Sequence, residues 1–235
     1  MAIIDKPSDY FNTVLYTGNG SDGNAQTGVG FQPDWVWIKE RSTTNSHRLY
    51  DSIRGVNAAL ISDNTNAENQ YSAYGQFESF DSDGFTVGQG TGSPGNGAGT
   101  NANSATIVAW NWKAAGSAST NSQGATNSSV SVNTDAGFSI ASATTSTSSG
   151  NTTTIGHGLG VSPDMIIWKA RNASGSWGVA HKSLGITSGY LSLNGTGAFV
   201  TEAGHIDGVS STLITLGQYI PNASNIFYSF AEKKG

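Results

Sequence analysis

Apolar residues recur along this chain in short runs, most of them alternating with polar ones, and glycine interrupts the sequence nearly every ten residues. Thr13-Val14-Leu15-Tyr16, Trp35-Val36-Trp37-Ile38, Gly84-Phe85-Thr86-Val87 and Thr106-Ile107-Val108-Ala109-Trp110 are rich in β-branched and aromatic residues. Gly, Asn, Asp or Pro bounds each of them, which predicts strands. Phe138-Ser139-Ile140, Met165-Ile166-Ile167-Trp168, Tyr190-Leu191-Ser192-Leu193, Leu213-Ile214-Thr215-Leu216 and Ile226-Phe227-Tyr228-Ser229-Phe230 continue the style. Asp22-Gly23, Asp83-Gly84 and Asp207-Gly208 are turn dipeptides. No long apolar pattern of period 3.6 survives, so the expected fold is all-β.

The pattern occurs twice. Phe31–Arg41 reads FQPDWVWIKER and Val161–Arg171 reads VSPDMIIWKAR, pairing Asp34 with Asp164, Lys39 with Lys169 and Arg41 with Arg171 at an offset of 130. The offset slips to 129 where Thr86-Val87-Gly88-Gln89 meets Thr215-Leu216-Gly217-Gln218, and the last strands align at 120, Trp110 with Phe230 and Lys113 with Lys233. That places about nine extra residues of the first copy in the Gly-rich loop Gly88–Asn103. The reading is two tandem β-sandwich domains of jelly-roll or lectin-like type, 8–113 and 130–235, joined by a Gly/Ser/Asn/Thr-rich linker at 114–129.

Within DWVWIK, Trp35 and Trp37 share one face and Val36 and Ile38 the other, so both faces are apolar. In the second copy Ile167 and Trp168 likewise lie on opposite faces. A strand with one solvated face alternates apolar and polar, so both sides call for a cover, either a loop of the same domain or another domain or subunit. Trp110 and Trp112, with Val108, form a second aromatic stripe, suited to core packing and, as the lesser alternative, to sugar stacking. Lys39, Arg41, Lys169 and Arg171 read as exposed ends of this strand.

Charged residues make up only 11% of the chain and the net charge is −5, which argues against phosphate-backbone binding and so against nucleic acid. With no cysteine there is no disulfide frame or thiolate chemistry. No apolar run is long enough for a membrane span, and the start of the chain lacks the pattern of a leader peptide. A chain made in a cytoplasm yet with the small, polar, Trp-containing surface of an exposed protein fits a part of a virus particle.

The chemical motifs mostly read as turns. Gly18-Asn19-Gly20-Ser21-Asp22-Gly23 matches G-x-G-x-x-G but is followed by turn and strand rather than by the required helix. Asp81-Ser82-Asp83-Gly84 begins like a calcium loop and lacks the later ligands, leaving a plain turn with a surface calcium site as the alternative. His157 in GHGLG is expected to be a turn or packing residue, and the four histidines lack zinc spacing. No nucleophile elbow or facing carboxylate pair is present, so neither enzymatic activity nor a cofactor or metal is expected.

The runs DYFNTVLYTGNGS, GVGFQPDWVWIKER, SFDSDGFTVG and ATIVAWNWKA resemble a module of tailed-bacteriophage virion proteins, and NTDAGFSIAS, TIGHGLGVSPDMIIWKAR and FYSFAEKKG resemble its companion module. The resemblance covers nearly the whole chain and implies a virion structural component with no catalytic residue to carry over: a fibre, adaptor or surface decoration, exposed on the particle beside other virion proteins. A homo-oligomer is expected from the two-faced apolar strand, with a trimer as the working guess. The alternative is a receptor-binding module that holds host glycan in its loops, at Trp177, Asn96, Asn101 and Asn103. A polysaccharide depolymerase is the minor alternative.

Overall fold

The structure, a computed structural model, describes residues 4–69, 75–91, 97–147 and 150–234. Among the described residues helix is confined to single 3-10 turns such as Pro7–Asp9 and Lys182–Leu184, and the fold is an all-β sandwich. The chain divides into two compact units, one of Asp5–Asp63 with Glu68–Gly116 and one of Ser117–Gly235 with Met1–Ile4 and Asn64–Ala67.

The first unit is a sandwich of two antiparallel sheets. One contains β1 (Phe11–Thr17), β3 (Trp35–Glu40), β4 (Arg48–Asp51) and β7 (Thr106–Trp112), in the order β1-β7-β3-β4. The other contains β2 (Asn24–Gln26), β5 (Gln76–Asp81) and β6 (Gly84–Gly88), in the order β2-β6-β5. Val36, Ile38, Tyr50, Phe77, Phe85, Val87, Ile107 and Ala109 form the core, and Tyr50, Phe77 and Phe85 stack in series. Alternation puts Val36 and Ile38 inward, so Trp35 and Trp37 stand on the outer face of their sheet. The turn before β6 requires glycine. Gly84 has φ +151°, and a Cβ there would lie 1.9 Å from the Gln26 carbonyl oxygen.

The second unit repeats this plan. β10 (Phe138–Thr144), β12 (Met165–Ala170), β13 (Gly178–His181) and β17 (Ser224–Phe230) stand where β1, β3, β4 and β7 stand in the first. β11 (Thr153–Gly156), β16 (Leu213–Leu216) and β15 (Ile206–Val209) match β2, β6 and β5. The match extends to irregularities: the bulge between Phe77 and Ser79 recurs between Ile206 and Gly208. Ladder-closing bonds repeat as well, the Arg41 amide to Thr106 O and the Arg171 amide to Ser224 O, both 2.7 Å.

Two expectations are corrected here. Trp35 pairs with Trp112 and Met165 with Phe230, so the final strands correspond at 118 positions rather than 120, and Trp112, not Trp110, is the counterpart of Phe230. The difference of two leaves every side chain on the expected face, which is why the pattern alone did not reveal it. Second, 114–129 is not all linker. β8 (Ser119–Asn121) and β9 (Ser128–Asn133) add two strands beyond β10, completing the order β14-β13-β12-β17-β10-β9-β8, where β14 is Leu191–Ser192. The small residues that suggested a linker suit an edge strand with little to bury.

Lys169 is also not exposed. It is fully buried, and its ammonium donates to the carbonyls of Ala170 (2.9 Å), Ala173 (3.3 Å) and Thr65 (3.5 Å). Burial without a carboxylate lowers its pKa to about 8. The same Thr65 carbonyl accepts from the Gly175 amide at 2.9 Å and the Ser174 hydroxyl at 3.1 Å, so a segment from the first half of the sequence is built into the second unit. Lys39 repeats the cap on Glu40 and Thr43 while half-buried. Only Arg41 is exposed as expected; Arg171 is half-buried.

Candidate functional site

The outer face of the first unit's main sheet carries an aromatic row. The ladder sets Trp35 opposite Trp112, Trp37 opposite Trp110 and Phe11 opposite Trp112. The rings meet in tilted or edge contacts: Trp35–Trp112 at 4.4 Å, Trp35–Trp37 at 5.7 Å, Trp37–Trp110 at 6.3 Å and Phe11–Trp112 at 4.9 Å. Trp35 is buried, while Trp37, Trp110 and Trp112 are half-buried. With His47 these three line an apolar recess of about 300 Å³.

His47 immediately precedes β4 and packs edge-on to Trp37 at 5.8 Å. Its Nδ1 accepts the Trp37 indole N–H at 2.7 Å, which places the proton of the neutral ring on Nε2. Desolvation pushes the His47 pKa down, the Lys39 charge adds to the fall and Asp63 opposes it, so the ring is neutral at neutral pH. The recess can therefore offer ring faces and one N–H donor. Aromatic faces of this kind bind apolar side chains or the C–H faces of sugars. Sequence reading found the three tryptophans and missed His47. The hairpin register Ile38–Arg48 puts His47 across from Lys39, and no pattern in the sequence marks that register.

The loop residues expected to hold glycan do not gather. Trp177 is completely buried, its amide bonded to Asn194 Oδ1 at 2.7 Å, so it cannot stack on a ligand. Asn101 is also fully buried and spends its side chain inside the fold: Oδ1 accepts from the Asn19 amide and Asn24 Nδ2, while Nδ2 donates to Asn19 Oδ1 and Ser21 O. Asn103 is exposed. Asn96 lies outside the described residues. Of the packing residues, Trp168 points into the second core beside Tyr190 and His205, and Ile167, buried, lies on the opposite face.

Several titratable groups cap loops or pair charges. Asp34 is raised from the carboxylate range by burial, against the lowering effect of bonds from Ser52 Oγ (2.8 Å) and the Ala114 amide (2.6 Å). Its counterpart Asp164 is lowered: desolvation, which raises it, is outweighed by the Glu232 amide and the Lys182 ammonium. Asp81 accepts hydroxyls from Ser79 and Thr86. Asp83 accepts the amides of Gly28 (3.0 Å) and Gly30 (2.6 Å), which hold its pKa down. Buried Arg54 pairs with buried Asp51 at 2.5 Å and with Glu68 at 3.3 Å. His157 is buried in its turn, with Nδ1 accepting the Leu159 amide at 3.2 Å. Among the described residues no three His, Cys, Asp or Glu side chains converge as a metal site.

No curated protein and no solved structure matches the chain. One family does, over residues 6–235 and hence over both units together: the chain belongs to the family described as Domain of unknown function (DUF7483).

Proposed function

We propose that this chain is a non-enzymatic structural component of a tailed-bacteriophage virion, exposed on the particle and assembled as a homo-oligomer among other virion proteins. The observation that carries the assembly part is the apolar outer face of the first sheet. Three half-buried tryptophans there adjoin β1, where Leu15 is 65% and Phe11 38% exposed. Contiguous apolar surface of this kind marks an interaction site. The non-enzymatic part is supported by the engagement of Asp34, Asp51, Asp81, Asp83 and His157 in capping loops and pairing charges. The virion part rests on the sequence resemblance. Immunogold electron microscopy of phage particles, with antibody against this chain, tests it. Gold on the head indicates a decoration protein and gold on the tail a fibre or adaptor; unlabelled particles refute the reading.

One observation favours a second reading, host-glycan binding. It is the recess of Trp37, His47, Trp110 and Trp112, rather than the loops. Titration with host surface polysaccharide is then expected to quench tryptophan fluorescence, and Trp110→Ala to abolish the response. Release of reducing sugar in the same experiment would overturn the non-enzymatic assignment.

A further inference from the structure

Among the described residues no strand pairs with the outer edge of β1, which offers a second interaction surface, and the chain's own duplication indicates what occupies it. The Lys113 amide donates to Tyr10 O and the Gly18 amide to Ala105 O, so the even-numbered residues between them face β7. Antiparallel alternation turns the N–H and C=O groups of Phe11, Thr13, Leu15 and Thr17 to the outer edge. The Thr13 amide is met there by the adjacent Asn12 side chain, at 2.9 Å.

In the second unit the corresponding edge is filled. Phe138 stands where Phe11 does, and β10 pairs along it with β9, Phe138 with Asn133, Ile140 with Ser131 and Ser142 with Ser129. β9, read SSVSVN, is uncharged and alternates small polar with β-branched residues. β1, read FNTVLYT, is a strand of the same character, and no charged residue occurs from Tyr10 to Ser21. It also has none of the charges, prolines or bulges that usually keep an edge from pairing.

We infer that β1 pairs antiparallel with β1 of a second copy of this chain, about a two-fold axis at Val14. In this register Phe11 faces Thr17 of the other copy, Thr13 faces Leu15, and Val14 faces itself, so all seven residues of the strand are used. No charge opposes a like charge, and the four-stranded sheet continues into an eight-stranded one. The Asn12 bond to the Thr13 amide is exchanged for an inter-strand bond. The inference deepens the oligomeric part of the function proposed above and replaces the trimer guess with a two-fold contact.

Sedimentation of the full chain tests it. A species of twice 24.3 kDa is expected, and Leu15→Lys, at an exposed position that leaves the core intact, is expected to weaken it at least tenfold. Val14→Cys gives a chain whose only thiol meets its symmetry mate at a non-hydrogen-bonded pair, about 4.5 Å between Cα atoms, within disulfide reach. Mild oxidation should therefore link the dimer, whereas Asn103→Cys, exposed and off the strand, should not. A trimer, or any oligomer indifferent to Leu15→Lys and unlinked by Val14→Cys, overturns the pairing and leaves oligomeric assembly standing. A monomer at all concentrations overturns both.

Discussion

At one place in the two ladders, Ile38 stands beside Arg48 in the first unit and Trp168 beside Gly178 in the second. The inner side chain has grown from isoleucine to indole, and its neighbour has shrunk to bare backbone. A Cβ on Gly178 would lie 2.0 Å from Trp168 Cζ2. Charge has been redistributed in the same way. The first unit buries the pair Arg54–Asp51 with both side chains inaccessible, while the second carries its pairs at the surface, Lys182 with Asp164 at 3.0 Å and with Glu232 at 2.7 Å. One backbone plan thus tolerates opposite solutions, provided volume and charge are balanced locally.

The charge contrast should give the largest effect. Arg54→Met removes the guanidinium from the buried Asp51 carboxylate, whose bonds from the Ile53 and Arg54 amides remain, and is expected to cost about 3–5 kcal/mol. Lys182→Met, at the surface where solvent screens the pair, should cost far less. Denaturant unfolding followed by tryptophan fluorescence measures both; equal losses would break the comparison. Next comes the volume exchange. Gly178→Ala forces the indole of Trp168 aside and should destabilise by about 1–3 kcal/mol, with the loss recovered when Trp168→Ile is added.

The pH effects are smaller. Lys169 titrates near 8 when folded and near its ordinary 10.5 when unfolded. Between those values the unfolded chain binds more protons, so stability should rise from pH 8 to 10.5, and Lys169→Met should flatten the rise. On the acid side the two aspartates act in opposite senses. Asp34, raised, contributes stability at low pH that is lost as pH rises through its folded pKa. Asp164, lowered, contributes stability that is lost as pH falls below the ordinary aspartate value. Unfolding curves of Asp34→Asn and Asp164→Asn should therefore deviate from the parent in opposite directions near pH 4. Deviations of the same sign would show that the two sites are not contrasted as described.

The strands, their faces and the duplication were legible because a period of two survives in any half-buried ladder. Trp35, Val36, Trp37 and Ile38 show this most plainly. Three features were not legible, each for a physical reason. Trp177 sits in SGSWG, whose small neighbours read as a loop, yet those neighbours give the indole room to be buried. Lys169 reads as exposed because its partners are backbone carbonyls, which carry no sequence signature. Ser119–Asn121 reads as linker because an edge strand pairs on one side only and needs no apolar residue. Of the candidate site, the tryptophan row was visible, while its closure by His47 depended on a hairpin register that composition does not encode.

The four residues Asn64–Ala67 carry a consequence for inheritance. They are encoded within the first copy and serve the second, where Thr65 accepts bonds from Lys169, Ser174 and Gly175. Recombination at the junction near Gly116 would pass the second copy on without the carbonyl that helps to cap its buried lysine. The second copy alone would keep the Ala170 and Ala173 carbonyls for that lysine and lose the third.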